Sequence, residues 1–164
     1  MSGREGNATI REFRDADRSS ALALVDQEIS RSQYADTLRG AVDAVFAHDD
    51  PDSQVLVTFR AGKLVGIIIF GTVAGAEGAG RLQLIVTDPG SRRTGIASAL
   101  VEAAVEELRR SSARFVVVEL PDDPELAPAA ALLAHRGFVV DARVRDFHRD
   151  GVDLVVFRRP MTGG

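Results

Sequence analysis

Residues 8–13 (ATIREF) alternate apolar and polar side chains, the two-residue period of a strand with one buried face. Asp17 is placed to cap a helix in which Ala21, Leu24, Val25 and Ile29 recur at three- and four-residue steps. A second helix is expected from about Ser32, with Tyr34, Leu38, Ala41, Val42 and Val45 on one face; that spacing assigns Tyr34 to the core. The polar segment 48–53, with Pro51 inside it, ends this helix. Residues 54–60 and 64–73 are two β-rich runs separated by Ala61, Gly62 and Lys63, hairpin spacing that predicts antiparallel pairing. A flexible connection, AGAEGAG at 74–80, leads into a strand at 81–87. The clearest helix spans 95–110: Ala97, Leu100, Val101, Ala104, Val105 and Leu108 form its apolar stripe, and Arg109 and Arg110 suit the dipole of its last turn. The apolar run 115–118 reads as a central strand covered on both faces. PDDP at 121–124 is a loop, 125–135 a helix with His135 at its carboxyl end, and Gly137 its left-handed cap. Strands at 138–144 and 152–158, turned by Asp150-Gly151, complete the chain.

The order is strand, two helices, three strands, helix, strand, helix, two strands. It predicts a single-domain α/β fold, a mixed, twisted sheet of about seven strands flanked by about four helices, over residues 8–160 with tails at 1–7 and 161–164. The 164 residues suffice for one core, and 45% hydrophobic with 27% charged residues describes a soluble globule. A net charge of −4 argues against a nucleic-acid partner. The chain has no cysteine, which removes disulfides, thiolate metal sites and cysteine nucleophiles, and its three dispersed histidines make no metal site. A polar start and the lack of any long apolar run predict no membrane partner and a cytoplasmic protein. Lys63 is the one lysine beside 19 arginines, so an arginine here is no signal by itself.

The chemistry concentrates in LIVTDPGSRRTGIASAL at 84–100, where a strand, a turn and a strong helix follow without interruption. The first turn of a helix presents unpaired N–H groups and roughly half a positive charge, a ready site for a diphosphate. Arg92, Arg93 and Thr94 place donors beside those groups, Gly95 permits close backbone approach, and Ala97 and Ser98 are small. A plain helix-initiating turn with solvated arginines is the other reading. With no glycine-lysine-serine/threonine run, triphosphate hydrolysis is not expected. Gly75, Gly78 and Gly80 lead into a strand rather than a helix, which excludes a dinucleotide fingerprint.

The segment 86–97 resembles the acetyl-CoA signature of GNAT-family N-acetyltransferases, Q/R-x-x-G-x-G/A, met by Arg92, Gly95 and Ala97. The element order from Ala8 to about Pro160 is similar to that family as well. The resemblance implies acetyl-CoA as co-substrate. It implies that the backbone of Leu84, Ile85 and Val86 pairs with the pantetheine arm. Arg92 and the N–H groups of Arg93, Thr94, Gly95, Ile96, Ala97 and Ser98 would hold the pyrophosphate. Strands 81–87 and 115–118 would splay to admit the cofactor, a primary amine would attack the thioester directly in a ternary complex, and an N–H near Val86 would stabilise the oxyanion.

The chain departs from the family at three places. The tyrosine four residues before the glycine-phenylalanine pair is Leu133, the asparagine near the start of that helix is Leu126, and the strand before the signature offers Arg81 and Gln83 but no carboxylate. Glu119, at the end of strand 115–118, is the candidate base through water, against a solvated strand-end carboxylate. His48 and His148 are weak candidates for proton transfer. Asp43, Asp49, Asp50 and Asp52 would suit a cationic amine or form an acidic solvated loop. The functions in competition are N-acetylation of an unidentified small-molecule or protein amine, a catalytically reduced acyl-CoA-binding module, and an interaction domain without cofactor; a homodimer is left open.

Overall fold

In a computed structural model that describes residues 8–162, every expected element is present in the expected order. Strands β1 (Thr9–Glu12), β2 (Ser53–Arg60), β3 (Lys63–Thr72), β4 (Ala79–Thr87), β5 (Phe115–Pro121), β6 (Val139–Arg149) and β7 (Val152–Pro160) alternate with helices α1 (Arg18–Ile29), α2 (Ala35–Phe46), α3 (Ile96–Arg110) and α4 (Ala127–His135). The tail expected at 1–7 and the last two residues of the one expected at 161–164 lie outside the described residues. Met161 packs against the core and donates its N–H to the Arg114 carbonyl at 2.9 Å.

The strands form one mixed sheet in the order β1-β2-β3-β4-β5-β7-β6, in which only β4 and β5 run parallel. The tight β2–β3 hairpin turns on Ala61 and Gly62, both left-handed at φ 49° and 77°, which matches the twist of the flanking strands. Helices α3 and α4 cover one face, where Leu100, Val101, Ala104, Val105, Leu108 and Leu133 bury against Leu56, Ile68, Phe70, Val116 and Phe157. On the other face α1 and α2 pack Leu24, Val25, Ile29, Val42 and Phe46 onto Val57, Ile67, Ile69, Leu84 and Val86. No helix among the described residues is long and apolar enough to cross a membrane.

Four local readings are corrected. The strand enclosed on both faces is β3, buried from Leu64 to Gly71, whereas in the interior strand β5 Val116 and Val118 are buried and Phe115 and Val117 only partly so. The reason is that the core under α1 and α2 reaches across β2, β3 and β4 but takes no residue from β5. Helix α2 starts at Ala35, because the Tyr34 N–H turns back to the Ser32 hydroxyl at 3.1 Å, leaving Tyr34 outside the helix and off the core face. Helix α4 starts at Ala127 after a 3-10 turn at Pro124–Leu126. Strand β6 continues five residues past Val144 through an irregularity around Asp146, at φ 52°, whose carboxylate accepts the Gly151 N–H at 2.8 Å; no alternation marks this stretch.

Asp17 also differs from its expected role. Its carboxylate makes no capping bond to α1. It accepts both Arg11 guanidinium nitrogens at 2.7 and 2.9 Å and the Arg14 N–H at 2.8 Å, joining β1 to the start of the helical layer. The Arg11 hydrogen bond, with that backbone N–H and the nearby positive charges, holds the Asp17 carboxyl below the usual carboxylate range despite its burial. Such a group adds stability at pH values above its unfolded pKa and loses it as pH falls through the lower folded value. Asp17→Asn is expected to cost about 1–3 kcal/mol at neutral pH. In urea unfolding at a series of pH values, the gap to the unmutated chain should close below about pH 4.

Candidate functional site

The parallel pairing of β4 with β5 covers only Ala79–Arg81 against Phe115–Val117, while β4 continues its pairing with β3 to Thr87. From Leu82 onward β4 therefore turns the backbone groups of alternate residues into a gap between the two strands. A bulge accompanies the divergence: Ile69 pairs with Leu84 and Phe70 with Leu82, so Gln83 is an extra residue that bends β4. Leu84, Ile85 and Val86 lie on this open stretch, with Leu84 and Val86 anchored under α1 and α2 and Ile85 against the α3 side.

Below the open edge, β4 runs into the start of α3. The Asp88 N–H donates to the Val65 carbonyl at 2.8 Å, a 3-10 turn follows at Pro89–Ser91, and the Thr94 hydroxyl donates to the Ser91 carbonyl. Arg93 and Gly95 are both left-handed, at φ 62° and 80°, and Ile96 is buried as the anchor of the helix. Among the described residues, the N–H groups of Arg93, Thr94, Gly95, Ile96, Ala97 and Ser98 have no protein acceptor, and the first backbone bond closing the helix is Ala99 N–H to the Gly95 carbonyl at 2.9 Å. A Cβ on Gly95 would meet nothing within 4 Å, so open space lies over the unpaired donors. The Arg92 guanidinium is drawn toward α1, donating to Glu28 at 2.6 Å, while the Arg93 side chain is exposed.

Glu119 sits two residues beyond Val117, where the β4–β5 pairing ends. Val116, Val118 and Leu120 belong to the α3 side, so alternation sends the Glu119 side chain to the opposite face, exposed and without an ion pair or hydrogen bond among the described residues. At the same end of β5 a cleft of about 600 Å³ is lined by Leu120, Asp123, Leu126, Ala130, Val155 and Phe157. Leu126 thus faces this cleft, whereas Leu133 is buried in the core under α4, only 2% exposed.

The sequence reading missed a polar clasp across this end. Asp123 accepts the Tyr34 hydroxyl at 2.9 Å, the Gln33 side-chain amide at 2.8 Å and Arg149 at 2.8 Å, and its other oxygen caps the next turn through the Glu125 N–H at 2.9 Å. Arg149 also donates to the Tyr34 oxygen at 3.3 Å, and Ser32 to Glu125 at 3.1 Å. The His148 ring meets the Tyr34 ring edge-on, with centroids 6.1 Å apart. Desolvation and the bond to Asp123 raise the Tyr34 pKa, while the Glu125 N–H, Tyr34 and Arg149 hold Asp123 below the usual carboxylate range. The one local signal was Asp123 before a proline turn; Tyr34 and Arg149 reach it across 89 and 26 residues of chain.

The weaker candidates lie apart. His48 makes a 3.5 Å contact with exposed Asp15, and His135 is exposed in the last turn of α4. In the acidic loop, Asp50 is engaged by the Asp52 N–H, the Ser53 hydroxyl and Arg81.

Residues 12–138 match the sequence model of the Acetyltransferase (GNAT) family. Among curated protein sequences none matches the chain. Among solved structures, a GNAT-family chain from Desulfovibrio desulfuricans superposes with a TM-score of 0.83 at 20% identity, over 94% of this chain and 99% of that one. The ribosomal-protein-S18-alanine N-acetyltransferase of Escherichia coli gives 0.73 at 21% identity, over 96% and 97%. The yncA chain of Salmonella typhimurium, solved with its cofactor acetyl-CoA, gives 0.73 at 18% identity, over 96% and 95%.

The clasp is open to direct test. Asp123→Ala removes the shared acceptor of Tyr34, Gln33, Arg149 and the Glu125 N–H, so amide hydrogen exchange should quicken across residues 32–38 while α3 keeps its protection. Unchanged exchange in 32–38 would show that the clasp does not hold this segment.

Proposed function

The chain belongs to the Acetyltransferase (GNAT) family, and from that premise we propose that it transfers an acetyl group from acetyl-CoA to a primary amine. The observation that carries the reading is a strand pairing that stops after three residues on the strand that leads into six consecutive N–H groups without an acceptor among the described residues. Leu84, Ile85 and Val86 would pair with an extended amide-bearing arm along the free edge of β4, and Arg93, Thr94, Gly95, Ile96, Ala97 and Ser98 would receive a diphosphate at the start of α3. Arg92 would serve more as a tie to Glu28 than as a phosphate ligand, given their 2.6 Å contact. When bound, acetyl-CoA supplies an activated thioester.

The acceptor would attack directly in a ternary complex. The chain has no cysteine, and no serine or threonine is found with a histidine and carboxylate that would make it a nucleophile. An alkyl amine with a pKa of about 10.4 arrives mostly protonated, so a base must take its proton. Glu119 is the candidate: exposed, unpaired among the described residues, and on the face away from α3 and α4 beside the gap in the sheet. An N–H near Val86 would meet the developing oxyanion.

Two substitutions separate the roles. Gly95→Val places a branched side chain in the open space over the donors and should abolish stabilisation by CoA, which for the unmutated chain at 100 times the dissociation constant is about 2.7 kcal/mol. Gly62→Val is the control, since it carries the same left-handed strain at φ 77° with nothing within 4 Å, yet lies in the β2–β3 turn; it should lose stability and keep CoA binding. Normal CoA binding by Gly95→Val would move the site elsewhere.

Glu119→Gln keeps size and polarity but removes basicity. Thiol release with acetyl-CoA and a panel of amines should fall about 10²–10⁴-fold while CoA affinity holds. An unchanged rate would assign deprotonation to water alone. CoA binding with no turnover on any amine, in the unmutated chain, would favour the non-catalytic acyl-CoA-binding module.

A further inference from the structure

Arg93 is a non-glycine residue held left-handed, at φ 62°, at the head of the six N–H groups that have no acceptor among the described residues. A side chain enters that conformation at a cost, so it persists only where the chain is fixed on both sides of it. On the carboxyl side the Thr94 hydroxyl bonds back to the Ser91 carbonyl, and Ile96 is buried at the start of α3. On the amino side the side-chain tie is Arg92, whose guanidinium donates to Glu28 of α1 at 2.6 Å. The Arg92 N–H reaches the Pro89 carbonyl at 3.3 Å, and among the described residues no later backbone N–H finds an acceptor until that of Ala99.

Glu28 stands one turn beyond Leu24 and Val25, beside the buried stripe of α1, and its side chain is 15% exposed against 61% for Arg92. The carboxylate has already lost most of its water, so a charge-assisted bond to it is stronger than one between two solvated side chains. Coulomb's law alone makes a carboxylate near a diphosphate site unfavourable, and on that ground deleting Glu28 would tighten an anion. The strain at Arg93 argues the opposite sign. Without Glu28 the residue before the strained one is free, and the N–H groups that follow lose their common direction.

We propose that Glu28, which lies on α1 and outside the 86–97 motif, is a positioning residue for the CoA diphosphate: through Arg92 it holds Arg93 left-handed, so that the N–H groups of 93–98 face the ligand together. The inference rests on the reading of the start of α3 as the diphosphate site and adds a second helix to it. Arg92 spends its charge on Glu28, the pair is neutral, and the diphosphate is met by backbone N–H groups and the helix dipole.

Isothermal titration of CoA into the full chain tests this, with the fold of each variant checked by circular dichroism and thermal unfolding. Glu28→Ala is expected to weaken CoA binding at least about fivefold, Arg92→Ala to do the same, and the double variant to be no worse than either, because the two side chains act as one unit. Arg93→Gly takes the left-handed conformation without cost, so in that background Glu28→Ala should change the affinity less than about twofold. A loss unrelated to Arg93 would be the same size in both backgrounds. Glu28→Gln, of equal size, supplies the same comparison should Glu28→Ala fail to fold. Unchanged or tighter CoA binding by Glu28→Ala, a much larger loss by Arg92→Ala than by Glu28→Ala, or an equal loss with and without Arg93→Gly overturns the proposal and leaves the diphosphate site in place. No CoA binding by the unmutated chain overturns the site itself and the role of Glu28 with it.

Discussion

The architecture turns on the fact that β4 cannot stay paired on both edges along its whole length. The extra residue at Gln83 bends the strand just after its third pair with β5, and from there the two neighbours part. Ordinarily a free edge in the middle of a sheet is costly, because its N–H and C=O groups lose their ladder partners. Here packing holds the split. Under α1 and α2 the strands β3 and β4 are fixed by Ile67, Ile69, Leu84 and Val86 with no residue from β5, while the core under α3 and α4 spans both lips, taking Ile68, Phe70 and Leu82 on one side and Val116, Val118, Val155 and Phe157 on the other. The gap persists because both lips are anchored on the same helical layer without being paired to each other.

The start of α3 completes that arrangement. Its stripe of Ile96, Leu100, Val101, Ala104, Val105 and Leu108 is buried on the sheet, so the helix cannot shift to satisfy its first turn. The left-handed residues at Arg93 and Gly95 then aim consecutive N–H groups outward instead of back into the chain. Burial of that stripe fixes a donor array that would be unfavourable alone, and the Arg92–Glu28 pair ties the preceding turn to α1.

How much of this was legible in the sequence depends on whether the partners of a residue lie nearby in the chain. The stripe of α3 repeats every three or four residues on one element, so the helix and its start at Gly95 could be read directly. The same holds for the Ala61-Gly62 turn. Apolar runs were less reliable: 115–118 and 64–71 look alike in composition, yet only β3 is enclosed on both faces, because enclosure depends on how far α1 and α2 reach across the sheet. Tyr34 fits the spacing of Leu38 as a core residue would, and only the Ser32 hydroxyl, capturing its N–H, and Asp123, capturing its hydroxyl, remove it from that face. Contacts across 89 residues leave no local pattern.

Those long-range contacts bear most on the polar groups at the cleft. A tyrosine on α4 at position 133 would bring a hydroxyl with the helix, but Leu133 is core, and Leu126 adds another apolar wall. A hydroxyl is contributed instead by Tyr34, in the segment between α1 and α2, bonded to an aspartate that lines the cleft. Desolvation and that aspartate raise the pKa of Tyr34, so it remains a protonated donor across the neutral range. The Glu125 N–H, the Tyr34 hydroxyl and Arg149 hold Asp123 below the usual carboxylate range beside it. Glu119 is exposed on the face of β5 away from α3 and α4, and neither it nor the Tyr34–Asp123 pair belongs to the motif that marks the start of α3.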